Sequence, residues 1–221
     1  DINDSTWLYG ATIFTTIRVY NQSLNHPLTN WQKHCDRISK SIKELEWKEA
    51  NWQQIETEVK ELLKHFPVIR ITLFPDGREL IIGRKLPSNL KQKQTEGIKG
   101  LVCLNNSLKR SIPEHKTGNY LASWVALQQA QKNGYQEAIL TNPQHHWLET
   151  TTGNLWGYKQ GIWFTPDLAE GILPGIVRQT IIEKADFPIK INQWTSEFIK
   201  DLEVVAYSNS VVEIIPFSSI K

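Results

Sequence analysis

Cysteine and methionine are nearly missing from this 221-residue chain, which has only Cys35 and Cys103 and no Met. Two thiols are too few for a disulfide framework, and neither stands in a metal-ligand spacing, so no metal is expected. The default compartment is then a reducing cytoplasm. No apolar run approaches the ~20 residues that span a bilayer, and the N-terminus lacks the basic and apolar regions of a signal peptide, so no membrane partner is expected. Charge of one sign is also scarce. The 25 Lys plus Arg against 23 Asp plus Glu leave a net +2 without long runs, which gives no footprint for nucleic acid. Repeats and low-complexity tracts are absent. Because the chain opens at Asp1 without Met, it is expected to lack its natural start.

With 40% hydrophobic residues the chain can bury one large core or two modest ones. Nine Trp read as core and subunit-contact residues, not as a base-stacking platform. β-branched and aromatic residues predict a strand over 13–20, with Phe14, Thr16 and Arg18 on the face opposite Ile13, Thr15 and Ile17. A helix follows, opened by the capping pair Thr29 and Gln32 and striped by Trp31, Cys35, Ile38, Ile42 and Leu45. The next helix starts near Asn51. Residues 68–83 form a hairpin around Pro75-Asp76-Gly77, and 98–104 form a further strand. After a loop at 105–114 comes a helix over 119–132, then strands at 137–141, 147–150, 154–158 and 162–165. A helix over 176–184 and strands near 189, 204 and 212 close the chain. The pattern is mixed α+β in two unequal halves, 1–104 and 105–221.

Lys116 stands out, a lone lysine set just before a helix that carries little other charge. An amine desolvated there has a lowered pKa and is free for Schiff-base chemistry with an aldehyde cofactor. Alone it is more often a solvated side chain. Glu149 ends an aromatic strand just before the polar turn Thr150-Thr151-Thr152-Gly153-Asn154. A carboxylate there can keep a ring nitrogen protonated, or be a plain strand-end acid. Gly175 opens a helix whose first N–H groups, at Ile176 and Val177, suit a phosphate. Arg37 can pair with the same phosphate, and Ser208-Asn209-Ser210 offers hydroxyls in a turn, although a solvated arginine and a simple hairpin loop explain them equally.

Taken in order, these residues resemble the class IV pyridoxal-phosphate enzymes, the family of branched-chain and D-amino-acid aminotransferases and aminodeoxychorismate lyase. Residues 8–18 look like the family's opening strand, and His34-Cys35-Asp36-Arg37-Ile38 like its helix bearing the phosphate arginine. Lys116-Thr117-Gly118-Asn119-Tyr120 is similar to the Schiff-base motif, Glu149 with Thr152, Gly153 and Asn154 to the pyridine-nitrogen motif, and residues 171–178 to the phosphate cup. The resemblance implies a two-domain fold type IV enzyme like D-amino-acid aminotransferase. Its smaller N-terminal α/β domain would precede a larger C-terminal mixed β domain with helices. It implies pyridoxal 5'-phosphate as cofactor, with Lys116 as the covalent anchor and proton shuttle, Tyr120 near the ring oxygen and Glu149 on the pyridine nitrogen. Thr152 and Asn154 join that set, and Arg37, Ile176, Val177 and Ser210 hold the phosphate. A small-molecule amine substrate and a homodimer are also implied.

Phe14-Thr15-Thr16 is similar to the lyase pattern, where many aminotransferases have Phe-Glu, and the spacing from Lys116 to Tyr120 is one residue tighter than in branched-chain enzymes. Thr16 is the expected substrate-side threonine. The expected reaction is release of pyruvate from 4-amino-4-deoxychorismate to leave 4-aminobenzoate, with an aminotransferase as alternative and a non-catalytic binder of the same fold third. Tyr9-Gly10-Ala11-Thr12 departs from the family's commoner Gly-Asp-Gly.

Overall fold

The computed structural model describes residues 4–221; residues 1–3, the side chain of Trp7 and the expectation about the chain's start lie outside the described residues. Contacts divide the chain into two units. One is the chain up to Pro87 together with His115–Asn119, and the other is Ser88–Glu114 with Tyr120–Lys221.

The first unit runs α1 (Ser5–Tyr9), β1 (Ile13–Arg18), α2 (Trp31–Glu44), α3 (Trp52–Leu63), β2 (Val68–Leu73) and β3 (Glu79–Arg84). Its strands pair antiparallel in the order β1-β2-β3. Alternation sends Ile13 and Ile17 of β1 and Ile69, Ile71 and Leu73 of β2 into one core. Ile38 and Ile42 of α2 and Ile55, Val59 and Leu63 of α3 close over them. Each such side chain contributes about 1.5–3 kcal/mol when buried. The exposed Lys60–Glu56 pair on α3, at 2.7 Å, contributes about 0.3–0.5 kcal/mol, so apolar burial sets the helix's orientation.

The second unit begins with α4 (Leu90–Glu96), β4 (Ile98–Cys103), α5 (Leu121–Lys132), β5 (Glu137–Thr141), β6 (Trp147–Thr150) and β7 (Asn154–Lys159). It continues through β8 (Ile162–Pro166), α6 (Ile176–Lys184), β9 (Ile189–Asn192), α7 (Ser196–Lys200), β10 (Val204–Asn209) and β11 (Glu213–Ile220). The strands follow the order β10-β11-β4-β5-β6-β7-β8-β9, and an added β10–β7 pairing closes six of them into a ring. Closure leaves no edge among these six strands, while β8 and β9 extend from β7 and β9 keeps an open edge among the described residues. The small residues Ala126 and Ala130 let α5 lie close on Ala138, Leu140 and Cys103. Trp156 and Trp194 are buried as expected of core residues, whereas Trp124 is 56% exposed.

Several expectations are revised. Thr29 does not cap α2; its hydroxyl donates to the Ser23 carbonyl at 3.0 Å and accepts from Tyr20 N, which ties up the turn after β1. Asn30 takes the N-cap position instead, in a left-handed conformation with φ 52°. Residues 5–9 are a short helix, not part of the opening strand, because Asp4 caps Thr6 N and Gly10 ends the turn at φ 65°. The helix at Leu90–Glu96 had no forecast. β4, placed with the first half by the 104/105 boundary, falls in the second unit because it pairs in parallel with both β5 and β11.

Candidate active site

Lys116 does not sit at a helix start. The helix begins only at Leu121, and Lys116 lies in a short extended segment laid against β1. Phe14 N donates to the Lys116 carbonyl at 2.8 Å, Gly118 N donates to the Thr12 carbonyl at 2.6 Å, and Ile13 bridges Thr117. A Cβ at Gly118 would strike the Thr12 hydroxyl, so only glycine lets the segment approach this closely. The preceding His115 is buried, with Nδ1 3.0 Å from Ser41 Oγ. Strand pairing therefore aims the amine. Lys116 Nζ lies 4.8 Å from the centroid of the Phe14 ring, a cation–π contact. Thr16, half-buried, shares its face of β1 with Phe14. Thr15 is on the opposite face, 1% exposed, and accepts a 2.9 Å hydrogen bond from Arg37 Nη2.

The second unit gathers the acidic and helix-start residues. Glu149 on β6 is 4% exposed, far from the plain strand-end acid that its sequence position also allowed. Its Oε2 accepts from Leu173 N at 3.2 Å, and Arg110 Nη1 lies 3.9 Å from Oε1. Arg110 also sits 5.9 Å from the centroid of the Tyr120 ring. Asn154, opposite Glu149 in the β6–β7 register, donates to the Leu173 carbonyl at 2.8 Å. Its side chain fills the space where a Cβ on Gly175 would go. Gly175 precedes α6 and makes no side-chain cap, so the N–H groups of Ile176 and Val177 open the helix. Arg178 is not part of this set. It is buried and donates to Thr165 Oγ1 and the Pro166 carbonyl, which fastens α6 to β8. The closing turn joins in through Asn209, whose amide donates to the Thr152 carbonyl at 3.3 Å while its oxygen accepts from Val211 N and Val212 N. Ser210 is half-buried within that turn.

Lys116, Thr16 and Arg37 thus belong to the first unit, and Tyr120, Glu149, Thr152, Asn154, Ile176, Val177 and Ser210 to the second. The chemistry on offer is an aimed amine, a charge-paired buried carboxylate and a glycine-opened helix start. An aldehyde cofactor with a basic ring nitrogen and a phosphate needs those groups.

The amino-transferase class IV family matches residues 12–220. The chain belongs to that family. Its members are pyridoxal-phosphate-dependent enzymes, and the fold is type IV. Aminodeoxychorismate lyase of Vibrio harveyi is 24% identical across 99% of this chain and 86% of that enzyme. Branched-chain-amino-acid aminotransferase of Escherichia coli K12 is 31% identical, over 57% of this chain and 42% of that one. Among solved structures, the fold IV transaminase CpuTA1 from Curtobacterium pusillum superposes with a TM-score of 0.82 at 18% identity, covering 100% of this chain and 80% of that one.

Sequence reasoning missed Arg110 and Glu137, and it did not foresee the contact of Phe14 with Lys116. Glu137 is 3% exposed, and its carboxylate accepts from Ala138 N at 2.9 Å, Thr151 N at 3.2 Å, Thr152 Oγ1 at 2.6 Å and the Thr151 hydroxyl. Its only signal was a lone acid heading an otherwise uncharged strand. Thr152, which the resemblance also places beside the cofactor, donates its hydroxyl to this carboxylate. Burial pushes Glu137 above its ordinary pKa of 4.5, and the hydrogen bonds hold that rise back. A raised carboxyl favours the protonated fold, so its contribution is present below 4.5 and is lost as pH climbs through the raised folded value. Glu137→Gln should keep the acceptor for both N–H groups and remove that slope, while Glu137→Leu orphans them at about 1–3 kcal/mol each. Denaturant unfolding at a series of pH values checks this; a slope unchanged in the Gln variant contradicts it.

Proposed function

We propose that this enzyme is a 4-amino-4-deoxychorismate lyase, which releases pyruvate and leaves 4-aminobenzoate. The observation that carries the reading is β1, where Phe14-Thr15-Thr16 places a neutral hydroxyl beside the Phe14 face that Lys116 approaches. The likeness to a lyase over almost the whole chain supports it. The stronger but partial identity to a branched-chain aminotransferase keeps amino transfer as the second reading.

Pyridoxal phosphate, when bound, withdraws electrons from the carbon bearing the substrate amine. The residues present fit it. Lys116 supplies the covalent amine and then accepts the proton from that carbon, with Phe14 packed beneath it. Glu149, partnered by Arg110 and Leu173 N, would hold the proton on the ring nitrogen. In the second unit the N–H groups of Ile176 and Val177 and the turn at Ser210 would take the phosphate, and in the first unit Arg37 is the arginine that the family resemblance assigns to it. Tyr120 would hydrogen-bond near the ring oxygen and Thr16 would face the substrate, while Asn154 fixes the approach to α6 through the Leu173 carbonyl.

A lyase forms pyruvate and 4-aminobenzoate from aminodeoxychorismate over many turnovers with no keto acid added. The same protein mixed with L-leucine, L-glutamate or D-alanine should release no burst of keto acid. One equivalent of keto acid per subunit from any of them, together with no 4-aminobenzoate, would overturn the lyase reading and leave the aminotransferase.

The reading includes a homodimer. Leu121 is 65% exposed, and the aromatic Tyr9 and Trp124 are 76% and 56% exposed; exposed aromatic residues favour interfaces. Sedimentation should give twice the chain mass; a folded, active monomer contradicts it.

A further inference from the structure

Thr15 sits on the buried face of β1 and does not share the Phe14 face, so the reaction leaves its hydroxyl without a task. Yet that hydroxyl stands between two groups of α2, 2.9 Å from Arg37 Nη2 and 2.6 Å from His34 Nδ1. His34 and Arg37 are three residues apart, so one helix face presents both to the strand. A guanidinium only donates. Thr15 Oγ1 must therefore accept from Arg37, and its own proton is assigned to His34 Nδ1, the neutral ring nitrogen 2.6 Å away. The imidazole proton then sits on Nε2, a tautomer fixed by the network. His34 is 1% exposed, and burial, with the nearby charges of Arg37 and Lys116, keeps the ring neutral and able to accept.

We propose that Thr15, backed by His34, is a positioning residue that fixes Arg37 for the cofactor's phosphate. This rests on the reading of Arg37 as a phosphate ligand. An arginine side chain has many rotamers, and one held in advance loses less freedom when it meets an anion. The same hydroxyl ties the phosphate arginine to the strand that carries Phe14 and Thr16, so phosphate and substrate contacts share one support.

Cofactor-free protein titrated with pyridoxal phosphate and, separately, with pyridoxal separates the phosphate's share of binding from the ring's. Thr15→Val should weaken pyridoxal phosphate about tenfold and leave pyridoxal unchanged, and Thr15→Ser should restore the wild-type ratio. Arg37→Ala should lower the ratio further. A Val variant with the wild-type ratio, or one that loses both ligands equally, overturns the positioning role while Arg37→Ala still lowers the ratio. An unchanged ratio in Arg37→Ala instead overturns the phosphate reading on which it rests. If the Val variant does not fold, Thr15→Ala is read in its place, with the same outcomes.

Discussion

The pairing of residues 115–119 with β1 is the constraint on which the site depends. Two main-chain hydrogen bonds, Phe14 N to the Lys116 carbonyl and Gly118 N to the Thr12 carbonyl, fix the lysine's backbone against a strand that is itself locked into the β1-β2-β3 sheet. A lysine side chain is long and flexible, so a rigid backbone is the first requirement for aiming its amine. The register also decides the neighbours. Slipping the segment by one residue would turn Lys116 away from the Phe14 ring and bring Thr117 in its place. Gly118 is what permits the register, because any Cβ there meets Thr12.

The second unit solves a different problem, which is how to bury acidic side chains inside protein. Glu149 is matched by Arg110 and by the Leu173 N–H, so the cost of desolvating it is offset locally. Glu137 has hydrogen bonds that offset the same cost only in part, so its pKa stays raised, and those bonds order the 150–154 turn. The two acids sit at the start of β5 and near the end of β6, adjacent antiparallel strands; Glu149 has the Arg110 guanidinium 3.9 Å away, whereas Glu137 has hydroxyl and main-chain N–H donors. That difference in partners separates the residue that can hold a proton on a ligand from the one that holds a loop.

Much of this was legible in the chain because it is written in local patterns. β6 spans Trp147–Thr150 and α6 spans Ile176–Lys184, as alternation and the glycine-opened helix imply. The motif order led to the family before any geometry. What was not legible depends on contacts distant in sequence. The setting of Lys116 was attributed to the helix that follows it, when a strand about a hundred residues earlier supplies it. Thr29 looked like a cap because the competing Ser23 and Tyr20 main-chain partners are defined only once the turn forms. The assignment of β4 to the second unit depends on β11, near the chain's end. Glu137 was invisible because one acid at a strand's head carries no pattern.

The central claim is that strand pairing aims Lys116 to be the covalent anchor of pyridoxal phosphate. Borohydride reduction of the cofactor-loaded enzyme, followed by proteolysis and mass mapping, tests it most directly. The account predicts a single pyridoxyl-lysine, on the peptide containing Lys116. A reduced adduct on another lysine such as Lys132, or none at all in loaded enzyme, would contradict it.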